Sequence, residues 1–355
     1  MEDNMKQGRT IQAVAEELQR QLATKRDFKA PSNKIRIEIH ENPSEPRLFI
    51  EGVPEQFGIT PYAHGQIASW ANIPRKYYDL MREKAPELLC ENVNHWLHWQ
   101  SQPRMLRTLD GNVRAFLSHR FRPLDNWDVA TTALPVLARP GMEILSAEVT
   151  ESHLYIKATT PRVALEIKKG DVVQAGIVLS NSEIGAGAVK VEPMLYRLIC
   201  LNGAIAPEAG MRRYHIGRNG DRELEEAFEV FKSETVQADN RAFFLKLRDV
   251  LEAAFDEIRF KKLAEAAGSS TKRQITGKVE DAIEAVAEVY SLPETAAGGI
   301  LEYLARGGDL TQWGLANAVT RYSQDVQNYD YATELERVGG DIMLQDDAGW
   351  KKLIN

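Results

Sequence analysis

Cysteine is nearly absent: only Cys90 and Cys200 occur in 355 residues, in dissimilar surroundings. That excludes a disulfide framework and a CxxC zinc site, and it fits a reducing compartment. Long apolar runs are missing too. None approaches the roughly 18 residues that a membrane span needs. The start, MEDNMKQGRTIQ, carries acids and no apolar stretch, unlike a secretory signal. We therefore expect a soluble, cytoplasmic protein with no membrane partner. The common catalytic patterns GxSxG, HExxH and the P-loop do not occur. A hydrolase is disfavoured without being excluded, because triads assemble from distant segments. Ser118 and His119 are adjacent, yet neighbours on a strand point to opposite faces and cannot act as nucleophile and base. Cys200 closes an apolar run and reads as a core thiol. His95 and His98 have helical ligand spacing, with Cys90 nearby, but no second ligand pair accompanies them. We assign no metal, no cofactor and no catalytic residue.

What is present is ordinary globular composition, 43% apolar and 27% charged, at a length that suits two domains. Charge is unevenly spread. Residues 1–103 hold 13 bases and 14 acids, residues 104–220 hold 15 and 11, and residues 221–355 hold 16 and 26. A basic middle beside an acidic tail is the pattern expected when only the middle meets a polyanion, although ordinary scatter produces it as well.

Periodicity places an amphipathic helix over Thr10–Lys25 and a hairpin from the runs Lys34–Ile39 and Arg47–Val53. Helices follow from Thr60-Pro61, at Arg75–Lys84 and at Pro86–Trp99. RMLRTL and VRAFLS flank Asp110-Gly111, the strongest hairpin signal in the chain. A helix over Asp125–Ala138 and strands between Glu143 and Cys200 complete a mixed, mainly antiparallel middle. Beyond Asp221 the pattern is helical, with Phe244, Leu247, Leu251, Ala254 and Ile258 forming a narrow 3-4-3-4 seam. The fold class is α+β. Residues 1–220 form an α+β core domain, and residues 221–355 an acidic helical subdomain. The seam either closes within the chain or joins subunits.

The strongest chemical clue is cationic and aromatic. Arg104, Arg107, Arg114, Arg120 and Arg122 fall within nineteen residues against one acid, Asp110. Arg114, Phe116, Ser118 and Arg120 share strand parity and would line one face. Phe121 adds a second ring, and Lys190, Tyr196, Arg197, Arg212, Arg213 and Arg218 follow later. Guanidiniums neutralise phosphates and aromatic planes stack on bases. A solvated sheet face carries the same residues. The Gly-rich stretch Asn181–Ala188 would let the backbone approach a phosphate or would simply turn the chain, and it fails the dinucleotide fingerprint.

IPRKYYDLM (Ile73–Met81), NVNHWL (Asn92–Leu97), VRAFLSHRFRPLDN (Val113–Asn126), LSNSEIGAGAVKVEPMLYRLICLNGA (Leu179–Ala204) and WGLANAVTRYSQ (Trp313–Gln324) carry a family resemblance. With these segments the chain resembles the phage- and plasmid-borne domain-of-unknown-function family 932 across about residues 60–325. The family-like positions are Arg114, Ser118, Arg120, Asn126, Asn181, Ser182, Glu183, Gly185, Asn202 and Gly203. Asn202-Gly203 also reads as a turn of positive φ. The resemblance implies handling of replicating or recombining DNA. By context and composition it points to an analogy with phage single-strand annealing proteins, which are oligomeric and use no cofactor.

Our expectation is a single-stranded DNA-binding or annealing protein that self-associates. Its contact residues would be Arg104, Arg107, Arg114, Phe116, Ser118, Arg120, Arg122, Asn181, Ser182, Lys190, Tyr196 and Arg197. Two alternatives stay open. One is a metal-dependent enzyme acting on nucleic acid or nucleotides, with Glu183 and Asn181 beside an Arg partner. The other is a phage structural or regulatory protein with no nucleic-acid role.

Overall fold

A computed structural model describes residues 8–39, 45–99, 101–206, 211–213, 233–255 and 257–354. Two sheets, both stacked with helices, make the α+β architecture.

The first sheet is assembled from β1 (Arg26–Pro31), β2 (Ile35–Ile39), β3 (Pro46–Ile50), β4 (Gln56–Ile59), β5 (Pro103–Leu109) and β6 (Asn112–Ser118), in the order β1-β5-β6-β4-β3-β2. All its pairings are antiparallel except β4 with β6. That one parallel pairing needs a long crossover. It is supplied by α2 (Pro61–Trp70), α3 (Arg75–Lys84) and α4 (Pro86–Trp99), followed by β5. Thr60 caps α2 by accepting from the Ala63 amide, and Pro61 takes the first helical position. Ile67, Tyr78, Leu89, Val93 and Leu97 bury one side of these helices against Ile37, Leu48, Leu106 and Val113. Asp110 and Gly111 both have positive φ, 49° and 74°, as the tight hairpin turn demands.

His64 sits inside this layer, 5% exposed, with Nδ1 2.8 Å from the Tyr78 hydroxyl. Burial, aided by Arg82 and Arg75, pushes its pKa down to about 4. The unfolded chain therefore binds a proton near pH 6.5 that the folded chain refuses until about 4. Stability must fall as pH drops through that window. We expect a loss of about 2 kcal/mol between pH 7 and pH 5. His64→Asn, which keeps a polar atom facing Tyr78, should flatten that slope in urea melts. An equal slope in both proteins would refute the assignment.

The second sheet runs β11-β10-β9-β8-β7, with β12 also pairing β10. Its strands are β7 (Glu143–Val149), β8 (Leu154–Lys168), β9 (Asp171–Asn181), β10 (Val189–Arg197), β11 (Asn202–Ile205) and β12 (Met211–Arg213). On one face Ile156, Ile177, Leu179 and Val191 pack under α1 (Ile11–Thr24), α5 (Asn126–Leu137) and α6 (Ser233–Ala253). Farther along, Val173, Ala175 and Leu195 enter a core completed by α7 (Glu257–Ser270), α8 (Val279–Val289), α9 (Glu294–Gly307), α10 (Gln312–Tyr322), α11 (Tyr329–Leu344) and α12 (Asp347–Ile354). The C-terminal helices thus share a core with the sheet. The opposite face carries charge that α11 neutralises. Lys157 Nζ meets Glu336 at 2.5 Å, and Arg337 meets Glu192 at 2.7 Å.

Several expectations change. RDFKAP, to which periodicity assigned no element, is the edge strand β1, and its terminal Pro31 costs little there. β5 and β6 join the N-terminal hairpin's sheet and not the later strands, so the middle is two sheets. Asn202 and Gly203 belong to β11. The positive φ falls on Leu201, and Gly203 is small because a Cβ would meet the Met194 sulfur at 2.4 Å. The 3-4-3-4 seam is not one helix. Leu247 and Leu251 are fully buried on α6, whereas Ile258 lies on α7 and is 69% exposed. No helix among the described residues is long and apolar enough to cross a membrane.

Candidate functional site

The segments Val113–Asn126 and Leu179–Ala204 meet where the sheets join. Arg107 comes from β5, Arg114 from β6, Asp125 and Asn126 from the start of α5, and Asn181–Glu183 from the end of β9. Glu183 is the hub. Its carboxylate accepts from the Arg114 guanidinium, from the Asn126 amide at 2.6 Å and from Lys25 Nζ at 3.3 Å. The Arg107 guanidinium donates to the Glu183 carbonyl at 2.9 Å and forms ion pairs with Asp27 at 2.9 Å and Asp125 at 2.6 Å. Lys25 closes the ring on Asp125 at 2.8 Å. Burial alone would raise the pKa of Glu183, but Arg114, Lys25 and Arg107 hold it below the usual carboxylate range. Asp125 is held down in the same way by Arg107 and Lys25.

These partners change the meaning of two expected contact residues, and burial changes that of others. Arg107 and Arg114 are buried and spent on carboxylates, so they do not line an open basic face. Phe116 is buried in the N-terminal core. β6 ends at Ser118, so Arg120 lies beyond the strand and shares no parity with Arg114. Asn181 and Ser182 are fully buried. The Asn181 amide group donates to the Leu124 carbonyl and to Asn126 Oδ1, both at 2.8 Å. Ser182 Oγ accepts from the Ala186 amide at 3.0 Å, which shapes the Gly-rich loop. The glycines of that loop approach protein atoms. A Cβ at Gly185 would meet Leu117 Cδ2 at 2.9 Å, and one at Gly187 would meet His153 Nε2 at 2.9 Å. Tyr196 is buried and Lys190 half-buried on the second sheet, and Arg197 there forms a two-point ion pair with Asp171. Only the backbone of Arg212 and Arg213 is described, as β12, and Arg218 lies outside the described residues.

A cavity of about 310 Å³ opens over the hub, lined by Arg20, Asp110, Arg114, Asn126, Ser152 and Glu183 among others. Beside it Ser152, His153 and Asp330 imitate a catalytic triad. The imitation fails on geometry. Ser152 Oγ and Asp330 Oδ1 both approach His153 Nδ1, at 2.9 and 3.2 Å, and Ser152 also donates to Asp330 at 3.0 Å. A nucleophile needs the imidazole nitrogen that the carboxylate does not hold. Glu183 is equally committed, since a carboxylate already saturated by two cations and an amide is a poor base or metal ligand. Among the described residues no group of three or more His, Cys, Asp or Glu is placed to hold a metal ion. His98 Nδ1 lies 2.7 Å from the Asn94 carbonyl, His95 packs against Trp96 and Trp99, and Cys90 is buried.

A surface does survive from the expected set. Arg104 is half-buried at the open end of the β5–β6 hairpin, directly across from the exposed Ser118. Its guanidinium lies 5.0 Å from the Trp70 ring and 5.4 Å from Phe116. Arg104 has no carboxylate partner among the described residues, and its Nε has no hydrogen-bond partner. Arg120 is exposed two residues past Ser118, its amide donating to Ser118 Oγ at 3.3 Å, whereas the half-buried Arg122 that follows pairs with Asp239 at 3.7 Å. Sequence reasoning missed Trp70, because it sits on α2 and reaches this place only through the crossover.

No curated protein and no solved structure matches the chain. The family model described as Domain of unknown function (DUF932) matches residues 115–342. The match takes in Asn126, the Asn181–Glu183 segment and most of the helices that close the second sheet, and the chain belongs to that family.

Proposed function

We propose that the protein binds single-stranded nucleic acid through the surface formed by Trp70, Arg104, Ser118 and Arg120. The supporting observation is Arg104, a guanidinium laid on an aromatic ring, with the Gln102 amide oxygen and no carboxylate as its partner among the described residues. Such a pair offers a phosphate its charge and a base its flat face, without regard to sequence. The reading needs no cofactor. Annealing or protection of strands in the cytoplasm, during phage or plasmid replication, is the setting that the family resemblance suggests. Self-association would align identical patches along one strand and raise avidity.

The test is a labelled oligonucleotide titrated at two salt concentrations, with wild type and an Arg104→Ala/Arg120→Ala double variant. Neither side chain is buried, so the fold should persist. Wild type should bind at low salt, and the variant should lose about 0.7 of log–log salt slope per phosphate contact removed. No binding at low salt, salt-independent binding, or an unchanged slope in the folded variant would end the proposal. Sedimentation with and without oligonucleotide reports on assembly, which a persistent monomer would refute.

A further inference from the structure

The helix pair α3 and α4 covers the N-terminal sheet with one side only. Tyr78, Met81, Leu89, Val93 and Leu97 face the core. On the other side Tyr77 and Leu80 of α3 and Leu88, Trp96 and Trp99 of α4 stand in solvent, Leu80 52% and Trp99 72% exposed. The two helices are joined through Ala85 alone and pack against each other. Scattered exposed apolar residues need no explanation, but five on one helix pair do. Together they leave on the order of 500 Å² of side chain uncovered.

On α4 the exposure follows helical rows. Glu87, Glu91, His95 and Trp99 succeed one another at four-residue steps, and Leu88, Asn92 and Trp96 form the adjacent row. The rings are held in place. The Trp96 indole donates to Asn92 Oδ1 at 3.0 Å, and the His95 ring lies 5.3 Å from Trp96 and 5.6 Å from Trp99. Rings already fixed lose little entropy when they are covered.

Charge decides what covers them. α3 carries four bases and two acids, whereas α4 carries Glu87 and Glu91 and no Lys or Arg. Arg75 and Arg82 share Asp79, and Lys84 pairs with Glu83. Lys76, Glu87 and Glu91 are exposed and have no ion-pair partner among the described residues. The chain thus presents a basic helix and an acidic helix side by side. A two-fold axis lays each of them on the opposite helix of a second copy.

We propose that this face joins two copies of the chain as an isologous dimer, α3 of each lying against α4 of the other. Lys76 of one copy then meets Glu87 and Glu91 of the second, and the leucines and tryptophans fill the centre. The apolar area with its charged rim approaches the roughly 800 Å² per partner of a stable interface. The inference gives a surface to the self-association proposed above, and it needs no nucleic acid.

Sedimentation of the full chain across micromolar concentrations tests it. Wild type should show a monomer–dimer equilibrium. Trp99→Ala should weaken it about thirtyfold with far-UV circular dichroism unchanged, because the side chain is exposed. Charge reversal gives a second reading. Lys76→Glu and Glu87→Lys/Glu91→Lys should each dimerise about tenfold more weakly alone, since like charges then meet at both ends of the two-fold contact. Mixed, the two variants should form a heterodimer, because both contacts again pair opposite charges. A persistent wild-type monomer would end this proposal and self-association together. A dimer indifferent to all three variants, or no recovery on mixing, would leave association standing and refute this surface. A monomer whose tryptophan fluorescence is quenched by oligonucleotide, and less so in Trp99→Ala, would give the face to nucleic acid and refute the dimer.

Discussion

Arg114→Ala should lower the unfolding free energy by about 3–5 kcal/mol, measured as a shift in urea midpoint. The reason is the group left behind. Glu183 is 3% exposed, and without Arg114 its Oε2 carboxylate oxygen faces a cavity with no guanidinium to neutralise it. Removing one partner of a buried pair is costly even where the pair itself adds little to stability. The Arg114→Ala/Glu183→Ala double variant should therefore be less damaged than the sum of its singles, a coupling that a double-mutant cycle reads directly. Acid should act on the same cluster. Glu183 and Asp125 have depressed pKa values in the fold, so their contribution is full above the unfolded carboxylate range and is lost as pH falls through the folded values. A single Arg114→Ala variant within 1 kcal/mol of wild type would contradict this account.

Leu247→Asp combined with Leu251→Asp should abolish cooperative folding, while Leu251→Ala alone should cost about 3–5 kcal/mol. Both leucines are fully buried where α6 packs on α5 and on the sheet beneath. Two carboxylates there would be desolvated without partners. An interface stripe would behave differently, giving a folded chain that sediments as a smaller species. Far-UV circular dichroism with sedimentation separates the outcomes, and a folded double-aspartate variant would show that these side chains are not core.

Local chemistry was legible in the chain wherever a few adjacent residues settle the matter. Thr60-Pro61 starts α2, Asp110-Gly111 turns the β5–β6 hairpin, and the 3.6-residue period marks α1. β1 and β4 escaped because strands of six and four residues with few apolar side chains show no usable period. Their pairing partners are far away in sequence. The break between α6 and α7 escaped for the opposite reason, since apolar spacing continued across a point where the backbone does not.

The candidate site divides the same way. Its residue types, arginines beside aromatics and a polar Asn-Ser-Glu run, stand plainly in the chain. Which arginines remain available for a ligand does not. Arg104 and Arg107 are three residues apart on one strand, so they point to opposite faces. Tertiary packing delivers Asp27, Asp125 and Glu183 to Arg107 and Arg114, and Trp70 to Arg104. A charge's usefulness depends on partners a few ångströms away, and those partners lie 18 to 80 positions distant for Arg107. Periodicity and turn chemistry act between near neighbours in the chain, whereas neutralisation acts between neighbours in space.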